Sequence, residues 1–371
     1  MESAEIGIVG GGLSGLVAAI ELSRAGKQVR VFEKHPYPRH KVCGEYLSAE
    51  VVPYLESLGV SLGDAPAIRR LRLQSLKGAA VEVGLPLGGI GISRYALDNR
   101  LYEVACQLGA RFEFGNVRQL RTRAEGVEVQ ADSGCFDTGL LIAAWGKRSN
   151  LDRQQERPFF QNNSRWMAIK SHYRADFPED LVGLYTFPGG YGGLSCTETG
   201  AVNFCYLIRA DHFRTSGSPE ACTDHLIARH PGLKAVLESR EPLFRRPLVI
   251  SQISFAPKDK SGDGLLYAGD AARLIHPLTG NGMAMAVLSG RILAREILEN
   301  RPRGSGSFAD LARAYELAWK SEFRSRLRWG RTLQWVLTRS RITDYLVGLS
   351  GHFPGLVPRI VSETHGKIQE V

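Results

Sequence analysis

The 371-residue sequence predicts a mixed α/β (α+β) fold in which a nucleotide-binding domain carries an inserted antiparallel β-sheet domain and a C-terminal helical tail. Three observations predict this fold. The chain opens with the order strand, glycine turn, helix and strand; its middle is rich in short strands; and its last part is helical and basic. With 43% hydrophobic residues, the chain can bury a core large enough for two domains.

The first element is the segment of residues 7–35, GIVGGGLSGLVAAIELSRAGKQVRVFEKH. It contains a GxGxxG motif in which Gly10 permits a tight turn, Gly12 lets a pyrophosphate touch the backbone, and Gly15 lets helix and strand pack closely. Glu33 ends the second strand, where a carboxylate can accept hydrogen bonds from a ribose. The segment predicts a Rossmann-like dinucleotide site. The alternative is a structural glycine turn with a solvated Glu33.

The rest of the chain divides by its strand and helix patterns. Strands are predicted over residues 68–92, a helix from about Arg94 to Leu108, a hairpin and strand over residues 127–150, a helix around residues 218–240, and a helix from about Gly282 to Glu299. The predicted domains are a discontinuous nucleotide-binding domain of residues 1–70, 94–160 and 260–300, a β-sheet domain of residues 71–93 and 161–259, and a helical region of residues 301–371. The segment RPRGSGS is the predicted linker to the tail.

Composition excludes several classes of protein. The six cysteines form no CxxC pair and have no metal-ligand spacing with histidine, which predicts reduced thiols, no metal site and a cytoplasmic location. The apolar run of residues 6–20 has no basic residue before it and is too short to span a bilayer, so we expect neither a secretory leader nor a transmembrane helix.

Positive charge is concentrated in the tail. Residues 301–371 hold ten Arg and two Lys against six acidic residues, and so carry six of the nine net positive charges. No recognised nucleic-acid module accompanies this bias, and we expect no nucleic-acid partner. Apolar residues between the arginines indicate amphipathic helices, which either pack on the body of the protein or contact a membrane surface. These apolar residues are Trp319, Phe323, Leu327, Trp335 and Leu346.

Three separated motifs resemble the FAD-binding elements of one flavoprotein superfamily, which includes aromatic-ring hydroxylases and geranylgeranyl reductases. They are the GxGxxG motif with Glu33, the mid-chain AAWGKRS, and the late LLYAGDAARLIHPLTGNGMAMA. The resemblance implies non-covalent FAD. Because the chain has no second GxGxxG after a strand, it implies that NAD(P)H or a reduced electron-carrier protein acts only as a transient donor.

The resemblance also implies which residues contact FAD. These are Gly10, Gly12, Leu13, Ser14, Gly15, Glu33, Lys34, Arg94, Asp270, Pro277, Gly280, Asn281, Gly282 and Met283. Arg94 would reach the ribityl and phosphate part, unless it is an exposed first-turn arginine, and Asp270 would take a ribitol hydroxyl. A helix that begins near Gly282 would direct its positive end at the flavin ring.

The segment HPYPRHKVCGEYLS is similar to the Pro…Lys-x-Cys-Gly segment of the geranylgeranyl reductases. The resemblance implies that Cys43 lines the active site; the alternative is a small buried core residue. That family's lipid-binding signature has the order Tyr-x-Trp-x-Phe-Pro-Lys, but only its Phe and Pro remain here. Tyr185, Phe187 and Tyr191 are candidate substrate-pocket residues, or else core aromatics of strands.

These features predict an FAD-dependent oxidoreductase. The preferred interpretation is a monooxygenase that hydroxylates or epoxidises a hydrophobic substrate (aromatic, polyketide- or isoprenoid-like) through a flavin C4a-hydroperoxide. The first alternative is a double-bond reductase of the geranylgeranyl reductase type, and the second is a flavin- or lipid-binding protein without turnover.

Overall fold

The computed structural model describes residues 2–256, 258, 261–262, 264–274, 280–300, 307–337 and 368. This part of the chain consists of two β-sheets and the helices that pack on them. The strands are β1 (Glu2–Val9), β2 (Val29–Glu33), β3 (Tyr46–Ser48), β4 (Ala67–Ser75), β5 (Ala80–Gly91), β6 (Arg111–Phe114), β7 (Val117–Arg123), β8 (Gly126–Ala131), β9 (Gly134–Ala143), β10 (Trp166–Arg174), β11 (Leu181–Phe187), β12 (Gly190–Cys196), β13 (Val202–Arg209), β14 (Glu241–Pro242), β15 (Leu248–Ile250), β16 (Ser261–Gly262) and β17 (Leu265–Tyr267). The α-helices are α1 (Leu13–Arg24), α2 (Val52–Ser57), α3 (Arg94–Gln107), α4 (Asn150–Gln154), α5 (Ala210–Phe213), α6 (Pro219–Arg229), α7 (Pro231–Leu237), α8 (Gly282–Asn300) and α9 (Phe308–Leu337).

The first sheet has a core of five parallel strands in the order β17-β9-β1-β2-β6, with β16 antiparallel on β17 and the β7–β8 hairpin on β9. All five side chains of β2 are buried, as expected for a parallel strand covered on both faces. Helices α1, α3 and α8 contribute to one continuous core with β1 and β2. The predicted mixed α/β fold with a Rossmann-like domain is therefore confirmed.

The second sheet has the strand order β14-β10-β13-β12-β11-β4-β5-β3, with β15 also paired to β10. It is antiparallel except for one parallel contact between β4 and β11. One face of this sheet packs against α6 and α7, and the other face lines a cavity shared with the nucleotide-binding domain. The predicted domain boundary at residue 71 falls inside β4, and β3 also joins this sheet, so the sheet takes more of the N-terminal chain than predicted.

Helix α9 packs into the core of the nucleotide-binding domain. Trp319 and Phe323 are buried, and the Tyr315 hydroxyl donates to the Tyr267 carbonyl at 2.8 Å. Arg326 pairs with the fully buried Glu50 at 2.9 Å. The amphipathic pattern of this helix thus reflects packing on the body of the protein, at least up to Leu327, which is also buried. The side chain of Trp335, Leu346 and the predicted linker lie outside the described residues.

Across the described ranges, no helix combines the length and the apolar character that crossing a membrane would require.

Candidate functional site

A cavity of about 1290 Å³ lies between the two sheets. It runs from the ends of β1 and β2, past the segment of residues 39–46, to the inner face of the second sheet. Pockets for one small molecule typically measure roughly 300–1,000 Å³. The cavity is therefore large enough for a dinucleotide and a second molecule.

The glycine turn forms one end of this cavity. Gly10 has a φ of +108°, and a Cβ there would lie 2.3 Å from the Ala144 carbonyl oxygen. A Cβ on Gly15 would lie 2.1 Å from the Gly10 carbonyl oxygen. At Gly12, by contrast, a Cβ would meet one atom, Arg94 Nη2, at 3.8 Å. Gly10 and Gly15 thus serve the packing of the turn, and Gly12 keeps space open in the cavity.

The start of α1 presents hydrogen-bond donors to this space. Its N-cap residue, Gly12, provides no side-chain cap, so the first backbone N–H groups of the helix have no intrahelical or capping partner. The buried Ser14 hydroxyl lines the cavity and has no hydrogen-bond partner among the described residues. Leu13 also lines the cavity. A phosphate group fits this arrangement because it would accept from the free amides and the hydroxyl.

Glu33 lies at the end of β2, as predicted, and lines the cavity. Its carboxylate accepts the Gly11 N–H at 2.7 Å and pairs with Arg39 at 3.0 Å. The side chain is 6% exposed, so the solvated alternative is wrong. Glu33 therefore fixes the glycine turn, and both Glu33 and the next residue, Lys34, line the cavity.

Arg94 belongs to a buried charge cluster that the sequence analysis missed. Its guanidinium lines the cavity and contacts Asp98 through two hydrogen bonds of 2.6 and 2.8 Å, and Lys41 pairs with the same carboxylate at 2.8 Å. Burial alone would raise the pKa of Asp98, but the two cations outweigh it and hold the pKa below its usual value. Because the Arg94 side chain is 15% exposed, the alternative of an exposed first-turn arginine is wrong. In the sequence, the four-residue spacing between Arg94 and Asp98 on a predicted helix is the pattern that indicates this ion pair.

The loop before α8 forms another wall of the cavity. Asp270, Gly280, Gly282 and Met283 line it, and α8 begins at Gly282 as predicted. Asn281 is buried without lining the cavity, and its carbonyl accepts the Met285 N–H. Pro277 lies outside the described residues.

Lys258 connects two walls of the cavity through hydrogen bonds. Its ammonium donates to the carbonyls of Lys147 at 2.7 Å and Asp270 at 2.8 Å. Lys147 belongs to the AAWGKRS motif, so two predicted FAD-binding motifs are joined by one buried side chain. Burial lowers the pKa of Lys258 to about 8.

Cys43 lines the cavity beside a second thiol, Cys205. Burial raises the pKa of Cys205 to about 12, so that thiol is neutral at physiological pH. Two residues further along the chain, Glu45 adopts a φ of +56°. Cys43 is only partly buried, which is consistent with an active-site lining position.

The side chains of His40, Glu45 and His172 lie close enough together to hold a metal ion. The ammonium of Lys170, however, contacts Glu45 Oε1, and His172 Nε2 lies 2.6 Å from Oε2. A cation of the protein itself therefore already neutralises this carboxylate. Burial lowers the pKa of His40 to about 4, which leaves its ring neutral.

Of the three predicted substrate-pocket aromatics, Tyr191 lines the cavity. Tyr185 and Phe187 instead point to the opposite face of the second sheet, where they are buried in the core with α6 and α7. Their assignment to the pocket is wrong. Side chains alternate along a strand, so Val182 and Leu184 of β11 face the cavity instead.

Comparisons with known proteins agree with this geometry. The family model described as FAD binding domain matches residues 3–311. The chain is 28% identical to a menaquinone reductase of Mycobacterium tuberculosis, over 92% of this chain and 85% of that protein. It is 27% identical to digeranylgeranylglycerophospholipid reductase 2 of Methanopyrus kandleri, over 91% of this chain and 86% of that protein. The structure of the flavin-dependent brominase Bmp2 has the same fold, with a TM-score of 0.80 and 18% identity over 97% of this chain and 94% of that one.

Proposed function

This chain belongs to the FAD-binding domain family and is an FAD-dependent oxidoreductase, and we propose that it reduces a carbon–carbon double bond in a long hydrophobic, isoprenoid-like molecule. When bound, FAD supplies the two-electron redox chemistry. NAD(P)H or a reduced carrier protein would supply the electrons. The glycine turn and Ser14 would hold the pyrophosphate, Glu33 the adenosine ribose, and Arg94 and Asp270 the middle of the cofactor.

The observation that carries the proposal is an apolar floor on the second sheet. Cavity-facing apolar side chains lie on five adjacent strands, β13, β12, β11, β4 and β5. They are Leu207, Tyr191, Val182, Leu184, Leu71, Leu73, Val81 and Leu85. Since neighbouring strands lie about 4.8 Å apart, this floor is about 19 Å wide. An elongated hydrocarbon would cover such a floor, whereas a compact polar substrate would leave most of it in contact with water.

Two of the reductases that this chain resembles support the same class of substrate. Menaquinone and digeranylgeranylglycerophospholipid both carry long isoprenoid chains, and the similarity to both proteins covers more than nine tenths of this chain. Cys43 adds support because the segment that resembles the geranylgeranyl reductases reaches the cavity wall.

A monooxygenase acting on a hydrophobic substrate is the second candidate. The observation that favours it is the same apolar floor, because an oxygenase needs a site from which water is excluded. In that case the floor would hold the carbon that becomes hydroxylated or epoxidised.

The deciding experiment reduces the purified holoenzyme with dithionite under anaerobic conditions and adds a digeranylgeranyl lipid, which has no quinone ring that could accept the electrons instead of the double bond. A reductase reoxidises its flavin without air, and mass spectrometry finds a product heavier by two hydrogen atoms. A product that forms only in air and is heavier by one oxygen atom would identify the monooxygenase. If neither product forms, a binding protein without turnover is favoured.

The floor makes a prediction about chain length. Leu184 is half-buried in the middle strand, so Leu184→Trp should obstruct a long chain and raise KM for it roughly tenfold, which corresponds to about 1.4 kcal/mol. A short-chain analogue that covers only part of the floor should be affected much less. FAD content serves as the control, and Leu184→Ala should leave the floor open. Equal effects of Leu184→Trp on long and short substrates would contradict the extended binding mode.

A further inference from the structure

The segment Cys43-Gly44-Glu45 connects the cavity wall with the second sheet. Glu45 is fully buried and has a φ of +56°, in the left-handed region that residues other than glycine rarely adopt. Such a conformation costs on the order of 1–3 kcal/mol and persists only where surrounding contacts hold it. The contacts of Glu45 are therefore what keeps this residue in the left-handed conformation.

Three donors from two elements hold the Glu45 carboxylate. Oε1 accepts the backbone N–H of Arg94 at 2.8 Å, at the start of α3, and also accepts from the Lys170 ammonium. Oε2 bonds to His172 Nε2 at 2.6 Å. Lys170 is itself fully buried and donates to the Lys41 carbonyl at 3.1 Å. The charge of Glu45 is thus fully compensated, and its side chain is fixed to β10.

The backbone around Glu45 is held as firmly as its side chain. Asn203 Nδ2 donates to the carbonyls of Cys43 at 3.2 Å and Gly44 at 2.9 Å, and the Ser195 hydroxyl donates to the Gly44 carbonyl at 3.3 Å. The Glu45 N–H in turn donates to Cys43 Sγ at 3.5 Å. Asn203 and Ser195 thus hold the carbonyl of the Gly44–Glu45 peptide, and the buried Glu45 side chain holds the residue that follows it. Together these contacts set where the Glu45 N–H points, and that N–H contacts the thiol.

We propose that Glu45 is a positioning residue for Cys43. Lys170 and His172 hold its carboxylate, this keeps its backbone in the left-handed region, and its N–H then fixes the Cys43 sulfur at the cavity wall. The second sheet, which provides the substrate floor, thereby also determines the position of the thiol. The positioning role of Glu45 does not depend on the proposed function. Only the expectation that the Cys43 sulfur meets substrate rests on it.

The test measures the thiol directly and needs no turnover. The holoenzyme is treated with iodoacetamide under native conditions, and the alkylation rate of the peptide that contains Cys43 is followed by mass spectrometry. In Glu45→Gln the ammonium of Lys170 loses its counter-charge and the amide is released from the sulfur. We expect the Cys43 alkylation rate to rise at least tenfold while FAD stays bound.

Glu50→Gln is the matched control. Glu50 is another fully buried carboxylate in an ion pair, with Arg326, and it does not line the cavity. It should change the Cys43 rate less than twofold, even though it also weakens the fold. A similar rise in both variants, or a rate within twofold of the parent in Glu45→Gln, would overturn the proposal.

The double variant Glu45→Gln/Lys170→Met covers the case in which the single variant folds poorly. It removes the unpaired ammonium, so thermal stability should recover towards that of the parent. The Cys43 rate should remain raised, because the carboxylate that orients the segment is still missing. Recovery of the parent's alkylation rate together with its stability would show that the stranded charge was the cause, and would also overturn the proposal.

Discussion

A Gly12→Val variant is expected to fold normally and to lose FAD affinity at least a hundredfold, which corresponds to about 2.8 kcal/mol. The backbone of Gly12 is extended (φ −89°, ψ −177°), a conformation that any residue adopts. A Cβ there meets Arg94 Nη2 at an ordinary contact distance of 3.8 Å. The protein alone therefore accepts a side chain, whereas a pyrophosphate at the start of α1 does not. Flavin absorbance and circular dichroism of the purified protein measure the two effects separately.

Gly15→Ala is the control, because we expect it to destabilise the fold and to retain FAD affinity. Its Cβ would lie 2.1 Å from the Gly10 carbonyl oxygen, so backbone must shift and the fold should lose about 1–3 kcal/mol. Urea unfolding of the FAD-free proteins would then separate the two glycines. An unstable Gly12→Val variant, or one that retains yellow flavin, would contradict the role assigned to this position.

Trp319→Ala should cost about 3–5 kcal/mol of the free energy of unfolding. Trp319 is 2% exposed and packs edge-on against Phe323 at 4.8 Å between ring centroids. Both residues belong to the same core as α1 and α8. Truncating the indole would leave a cavity in the nucleotide-binding domain, and the flavin should dissociate at a lower urea concentration. Tryptophan-independent probes, such as far-ultraviolet circular dichroism and flavin fluorescence, follow the two events.

Leu317→Ala is the comparison within the same helix. Leu317 is 60% exposed, so its replacement should change stability by no more than about 0.5 kcal/mol. If both variants unfold at the same urea concentration, α9 contributes little to the domain, and its assignment to the core would need revision.

Local patterns in the sequence were sufficient for much of the nucleotide-binding domain. The spacing of Gly10, Gly12 and Gly15, the acidic end of β2 and the helix that begins at Gly282 are each encoded within a short segment. Such segments fold locally because turn, strand and helix preferences agree. The same holds for α3, which starts at Arg94 with Ser93 as its N-cap.

Other features depend on contacts between distant parts of the chain. The pairing of Glu45 with Lys170 and His172 joins residues that no periodicity relates. Strand β11 has apolar side chains on both faces, so alternation alone did not say whether Tyr185 or Leu184 faces the cavity. Helices α6 and α7 determine which face of β11 is turned away from the cavity, because they cover the face that carries Tyr185.

The parallel contact between β4 and β11 has a consequence for synthesis on the ribosome. Arg70 of β4 pairs with Leu181 of β11, so the second sheet cannot be completed until a large part of the chain has emerged. Until then the β4–β5 hairpin presents Leu71, Leu73 and Val81 without the neighbouring strand that extends their apolar face. A nascent chain stalled before β11 would therefore expose the unpaired, apolar edge of this hairpin, and chaperone binding should peak at that length of chain.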